Sequence, residues 1–188
     1  MGELARTSPP RMTLEEFLRW DDGTDTRYEL DRGELVAMAP ARERHGVICQ
    51  NADSVIERAV EDRPPCRAVQ QPSVLIDATD HRFYTADVAL TCEPPEDRLE
   101  VATPRLVVEV LSSSTEGVDK HRKVAAYGEL PSVEEIRLID SRQRWMLVWQ
   151  RVEGAWVAGL PLTGEASFAS RVLGVDVTLE RLYRHTGL

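Results

Sequence analysis

Apolar and polar positions follow two rhythms along this chain, one of period two and one near 3.6, and the switches between them mark its elements. Thr13 followed three residues later by Glu16 makes a capping box, and Leu14, Phe17, Leu18 and Trp20 give a short opening helix its apolar side. The stretch RYELDRGELVAM predicts a hairpin whose two strands flank Asp31, Arg32 and Gly33. From His45 to Val60, the residues Ile48, Ala52, Val55, Ile56 and Ala59 recur at helical spacing while Glu57 and Arg58 face out, and Pro64 and Pro65 end that helix. Strands are expected over residues 67–70 and 73–76, followed by a polar turn over 77–81 and one strand over 83–91. The run LVVEVL at 106–111, bounded by Pro104 and by Ser112, Ser113 and Ser114, suits a buried central strand. Helical spacing through Val124, Ala125 and Tyr127 predicts a helix over 116–130, which Pro131 stops. Three strands follow over 135–139, 145–151 and 155–160, and a closing helix begins near Thr178 with Leu179, Leu182 and Tyr183 facing inward. The order is mixed α/β, with a sheet holding hairpins and at least one crossover helix.

A chain of 188 residues suits one domain. Residues 1–12 carry Pro9 and Pro10 without an apolar period and read as a loose extension, which leaves 13–188 as the domain. No apolar h-region follows the early charges, and no run approaches the ~20 apolar residues of a membrane span, so a soluble protein is expected. Cys49, Cys66 and Cys92 are an odd number without CxxC spacing, which argues against a disulfide framework or a thiolate zinc site and for a reducing cytoplasm. The net charge of −9 disfavours non-specific binding to nucleic acid but leaves room for an enzyme that uses metal ions and a local basic patch. Basic side chains cluster at Lys120, His121, Arg122 and Lys123, and again at Arg137, Arg142, Arg144 and Arg151; the second group reads as a solvated face.

Candidate chemistry starts from Glu109, a carboxylate inside LVVEVL. Strand period puts Val107, Glu109 and Leu111 on one face and Leu106, Val108 and Val110 on the other. A buried carboxylate costs several kcal/mol unless it is compensated, so Glu109 marks a site or a strand-end salt bridge. Asp87 precedes it by 22 residues in FYTADVALT. Carboxylates on neighbouring strands can share a hard divalent cation such as Mg²⁺, which takes oxygen ligands and leaves positions for water and phosphate. Asp119, Lys123 and Tyr127, spaced four and four, stack along one helix face. A lysine there can hold a phosphate or offset developing charge; an ordinary Asp119 to Lys123 pair, with Tyr127 filling core, is the competing reading. A GxSxG elbow, a phosphate loop, a dinucleotide fingerprint and a helical pair of histidines are all missing.

The hairpin YELDRGELV, the strand DVAL, the strand PRLVVEVLS and the helix DKHRKVAAY, in this order, resemble the Uma-two family of putative restriction endonucleases, within the PD-(D/E)xK nuclease superfamily. The resemblance implies an α/β restriction-endonuclease-like core, a central mixed β-sheet flanked by helices, with the opening helix and hairpin at its N-terminal side. It further implies a metal-dependent endonuclease acting on DNA, with Mg²⁺ (Mn²⁺ able to substitute) held by Asp87 and Glu109. The superfamily lysine two residues after the glutamate is here Leu111, and the family's shifted lysine falls on Lys123. Glu34 and His45 match the family's hairpin glutamate and helix-start histidine, and join Asp119 and Tyr127 as accessory candidates. Ala86 replaces the proline before the aspartate, and an expected aromatic pair is replaced by Glu135 and Ile136. A homodimer is compatible with paired cuts on a duplex. The alternative is a catalytically inactive module of the same fold that binds a protein or nucleic-acid partner.

Overall fold

The computed structural model describes residues 11–112 and 118–188, with side chains from Arg122 onward in the second stretch. Thr13 caps α1 (Leu14–Arg19) as its sequence demands: its hydroxyl accepts from Glu16 N, and the Glu16 carboxylate accepts from Thr13 N at 2.8 Å. Strands β1 (Tyr28–Asp31) and β2 (Glu34–Ala37) are joined by Arg32 and Gly33, whose φ angles of 50° and 82° fit the tight hairpin turn that matches strand twist. Glycine is required here for a second reason, since a Cβ on Gly33 would stand 3.0 Å from Met12 O. Met12 N donates to Gly33 O at 2.7 Å, so Arg11 and Met12, read above as part of the extension, already pack on this turn. The rest of that extension, residues 1–10, lies outside the described residues.

Downstream come α2 (Glu43–Val60), β3 (Arg67–Gln70), β4 (Ser73–Asp77), β5 (Arg82–Thr85), β6 (Val88–Thr91), β7 (Pro104–Leu111), α3 (Val118–Glu129), β8 (Glu135–Asp140), β9 (Trp145–Val152) and β10 (Ala155–Ala158). The strand expected over 83–91 is in fact two. β5 joins a four-stranded antiparallel sheet of order β2-β1-β5-β4, whereas β6 joins a mixed sheet of order β10-β9-β8-β7-β6-β3. Ala86 and Asp87 are the hand-over: Ala86 N bonds Pro72 O on one side and Asp87 N bonds Val108 O on the other. Within the mixed sheet only β7 and β8 pair in parallel, because α3 is the crossover between them.

Strand period is obeyed in β7. Leu106, Val108 and Val110 pack with α2 residues Ile48, Ala52 and Ile56 on one face, and Val107 packs with Tyr84, Ala126 and Tyr127 on the other. Glu109 therefore projects on the side of α3 and of the smaller sheet. This is the mixed α/β architecture expected from the element order.

Several readings need correction. After β11 (Leu162–Thr163), the chain forms a hairpin of β12 (Ser167–Ser170) and β13 (Val175–Thr178) that polar SFAS and VDVT did not announce, before α4 (Leu179–Leu182) begins on its Thr178 cap. Cys66 and Cys92 form a disulfide, because the β3 and β6 ladder pairs Arg67 with Thr91 and so sets the two cysteines opposite each other one step beyond it. The cysteine count thus no longer argues for a reducing compartment. Within the second arginine cluster, Arg137 and Arg151 do not stand on a solvated face, whereas Arg142 is exposed and pairs with Asp140. Arg137 is fully buried, donates to Glu135 Oε1 at 2.7 Å and lies over Phe168; Arg151 donates to Val133 O, Gly128 O and Leu130 O and stacks on Trp156. Among the described residues, no helix is long and apolar enough to cross a membrane.

Candidate active site

The two sheets meet at a cleft of about 780 Å³, lined by Glu29, Asp31, His45, Tyr84, Asp87, Glu109, Arg122 and Lys123 among others. Each side chain arrives on a different element for a local reason. Glu109 is carried by central strand β7, opposite Leu138 of β8, and its side chain is 14% exposed. Lys123 comes from the second turn of α3, whose period also brings Tyr127 inward. Its ammonium lies 2.9 Å from Glu109 Oε1, 2.9 Å from Glu29 Oε1 and 2.9 Å from Thr85 O. Tyr127 donates its hydroxyl to the same Glu109 oxygen at 2.8 Å.

Asp87 occupies the break between β5 and β6, where leaving the ladder frees its carboxylate to take a backbone partner. Val110 N donates to Asp87 Oδ2 at 2.6 Å, and His45 Nε2 lies 3.3 Å from the same oxygen. His45 stands in the first turn of α2 and contacts Cys49 Sγ through Nδ1 at 3.5 Å.

The electrostatics follow from this crowding. Burial pushes the Glu109 carboxyl up to about 7; Lys123 opposes the rise, and the nearby Asp87 and Glu29 add to it. Burial also works against the charge of Lys123, yet Glu109 and Glu29 outweigh it and hold the ammonium above its ordinary value. Tyr127 is raised by burial and by Glu109, so it remains a phenol that donates. For His45, burial favours the neutral ring but the bond to Asp87 prevails, and its affinity for a proton rises. The cleft thus holds more negative charge than its cations offset.

The expected residues Asp87, Glu109, Lys123, His45 and Tyr127 are brought together around the cleft. Asp119 lies in α3, but its side chain is outside the described residues. Glu34 is not brought in: it pairs with Asp31 in register and is exposed at the turn end of the hairpin. The hairpin glutamate in the cleft is Glu29, which is buried and also accepts from Thr85 N at 2.8 Å. Glu29 went unnoticed because YELDRGELV offers one glutamate on each strand of the hairpin, and only the docking of β1 onto β5 buries the first. Asp31, bonded by Tyr84 and paired with Arg122, was missed for the same reason.

Residues 14–180 match the Uma2 family, described as "Putative restriction endonuclease". The chain belongs to that family. Two uncharacterized proteins of Synechocystis sp. are similar to this Uma2 chain. The protein slr1290 is 27% identical over 181 residues, covering 93% of each chain; sll1609 is 29% identical over 133 residues, covering 69% of this chain and 75% of its own. Among solved structures, a putative nuclease belonging to DUF820 from Anabaena variabilis superimposes with a TM-score of 0.72 at 17% identity, covering 92% of this chain and 97% of that one. That neighbour shares the fold of this Uma2 member.

Proposed function

We propose that this chain is a divalent-metal-dependent endonuclease that hydrolyses DNA phosphodiester bonds in the cleft between the two sheets. One observation carries the reading: Glu109, Glu29 and Asp87, from three separate segments, converge with a single lysine, Lys123, in a cleft of about 780 Å³. Membership of the Uma2 family supports the same class of activity.

The residues fit a hard cation. Oxygen donors on Asp87 and Glu109 are the kind that Mg²⁺ or Mn²⁺ takes. The proton affinity of Glu109, raised by burial and like charge, is what a divalent ion would relieve. The bonds of Glu109 to Tyr127 and Lys123 use Oε1, and those of Asp87 to Val110 and His45 use Oδ2. When bound, such an ion supplies positive charge beside the phosphate and acidifies water. Lys123 holds Glu109 and Glu29 in register and places an ammonium where charge develops on the phosphorane. Tyr127 fixes the rotamer of Glu109, and His45 that of Asp87.

Nucleic acid has a path past the site. A second cleft of about 540 Å³ shares His45 and Ser112 with the first and is lined by Arg42, Arg44, Arg142 and His185 together with Glu43; Arg142 is paired with Asp140, which leaves a modest basic balance on an acidic protein.

The test is nicking of supercoiled plasmid in Mg²⁺ or Mn²⁺. Wild type should nick, and Asp87→Asn, Glu109→Gln and Lys123→Met should each lose at least about a hundredfold in rate, the scale of a lost transition-state contact. No nicking with either metal, or variants that nick like wild type while folded, would overturn the proposal.

A further inference from the structure

Behind Asp87, on the α2 side of the cleft, stands a sulfur donor that the nuclease reading does not use, and it shares a cluster with two residues that the reading does use. His45 and Cys49 are one helical turn apart on α2 and share a face. Cys49 Sγ lies 3.5 Å from His45 Nδ1, and His45 Nε2 lies 3.3 Å from Asp87 Oδ2. One donor atom from each of the three residues falls within 4.8 Å of the other two.

A tetrahedral zinc ion, with ligands at about 2.0–2.3 Å, needs its donor atoms roughly 3.3–3.6 Å apart. The 3.5 Å and 3.3 Å separations each match that spacing on their own, but they use opposite nitrogens of one ring. A single ion takes one nitrogen, and the remaining donor, within 4.8 Å, closes up by side-chain rotation. Sulfur and imidazole nitrogen are donors that a hard cation neglects and that zinc prefers. The fourth position would face the cleft, since His45 and Asp87 line it while Cys49 sits behind them.

We infer that His45, Cys49 and Asp87 form a site for a thiophilic divalent ion of the zinc class, and that filling it inhibits the enzyme by withdrawing Asp87 from the magnesium site. On binding, the Cys49 thiol gives its proton to solvent and the sulfur forms the new bond to the ion, with no change of oxidation state. Cys66 and Cys92 are joined to each other and offer no thiolate to compete. The inhibitory half of the inference rests on the proposed nuclease role of Asp87; the binding half does not.

Cobalt(II) separates the two. Titrated into metal-free, non-reduced protein, Co²⁺ should give a one-to-one thiolate-to-cobalt charge-transfer band in the near ultraviolet, bleached by one equivalent of Zn²⁺. Cys49→Ser and Cys49→Ala should abolish the band and weaken Zn²⁺ binding, measured against a chromophoric chelator, by at least about a hundredfold, more than the loss of an outer-sphere partner causes. A melting curve verifies that each variant is folded. In plasmid nicking with excess Mg²⁺, stoichiometric Zn²⁺ should inhibit wild type and leave Cys49→Ala active. Absence of the band, or equal Zn²⁺ affinity in wild type and Cys49→Ala, would overturn the site. Zn²⁺ bound through Cys49 without inhibition would overturn the regulatory half. If wild type fails to nick at all, the nuclease reading falls while the cobalt band still decides the binding site.

Discussion

Replacing Glu109 with glutamine should make the metal-free protein more stable and the enzyme inert. In wild type the carboxyl is pushed from 4.5 to about 7 by burial and by Asp87 and Glu29, so the folded state holds a proton that the unfolded chain releases near pH 4.5. Below pH 4.5 both states are protonated and this stabilising difference is complete; it is lost as pH rises through about 7, where folding must bury the charge. At about 1.4 kcal/mol per pKa unit, the penalty at pH 8 is on the order of 3 kcal/mol. Glutamine keeps the shape, and its oxygen can still accept from Tyr127, while Lys123 keeps Glu29 and Thr85 O. Thermal unfolding in EDTA should therefore place Glu109→Gln above wild type by several degrees at pH 8, at roughly 2–4 °C per kcal/mol for a chain of this size, and level with it at pH 4.5. Adding Mg²⁺ should reverse the order, because saturation at a thousand times Kd adds about 4.1 kcal/mol to wild type alone, more than the penalty it must overcome. A variant less stable than wild type at pH 8 without metal, or one that Mg²⁺ still stabilises, would refute the account of this site as excess negative charge awaiting a cation.

Four further outcomes are expected. Glu29→Gln should slow plasmid nicking at least tenfold by loosening Lys123, whereas exposed Glu34→Ala should stay within about twofold of wild type and within about 0.5 kcal/mol in urea unfolding. Lys123→Met should cost about 3–5 kcal/mol in the same unfolding assay at pH 8, since it leaves Glu29 and Glu109 buried without their shared cation, and unchanged stability would contradict the geometry. Calorimetric Mg²⁺ affinity should fall about tenfold per pH unit below 7, where the ion must displace the Glu109 proton, and should level off above it. Arg137→Met should cost about 3–5 kcal/mol by stranding fully buried Glu135, without changing Mg²⁺ binding.

How much of this was legible in the sequence depended on whether a local pattern fixed the answer. The capping box of α1, the turn residues of the hairpin and the 3.6 period of α2 are local, and each element formed where they put it. Glu109 announced itself because a carboxylate in LVVEVL has no local excuse. Asp87 was found, but its position at a break between sheets was not, since FYTADVALT is apolar enough to read as one strand and the hand-over is set by Pro72 and Val108 from elsewhere. The β12 and β13 hairpin was illegible because half of its strand residues are exposed and its apolar content is slight. The partnership of Glu135 with Arg137 spans two residues on one strand face, yet only the arrival of Ser170 and Phe168 from that hairpin buries it.

Lys123 explains why the fold and the site cannot be separated. Its ammonium touches Glu29 on β1, Thr85 O on β5 and Glu109 on β7, so one cation ties the antiparallel sheet to the mixed sheet. A lysine at position 111, on the same strand face as Glu109, would reach the carboxylate from within the mixed sheet and give up this tie to the smaller sheet. Carried on the crossover helix instead, the cation spans both, and the two glutamates it holds apart become available as a pair only when the sheets have docked. The cleft exists only where the two sheets are docked, and a variant that loosens the joint between them should lose metal binding before it loses either sheet.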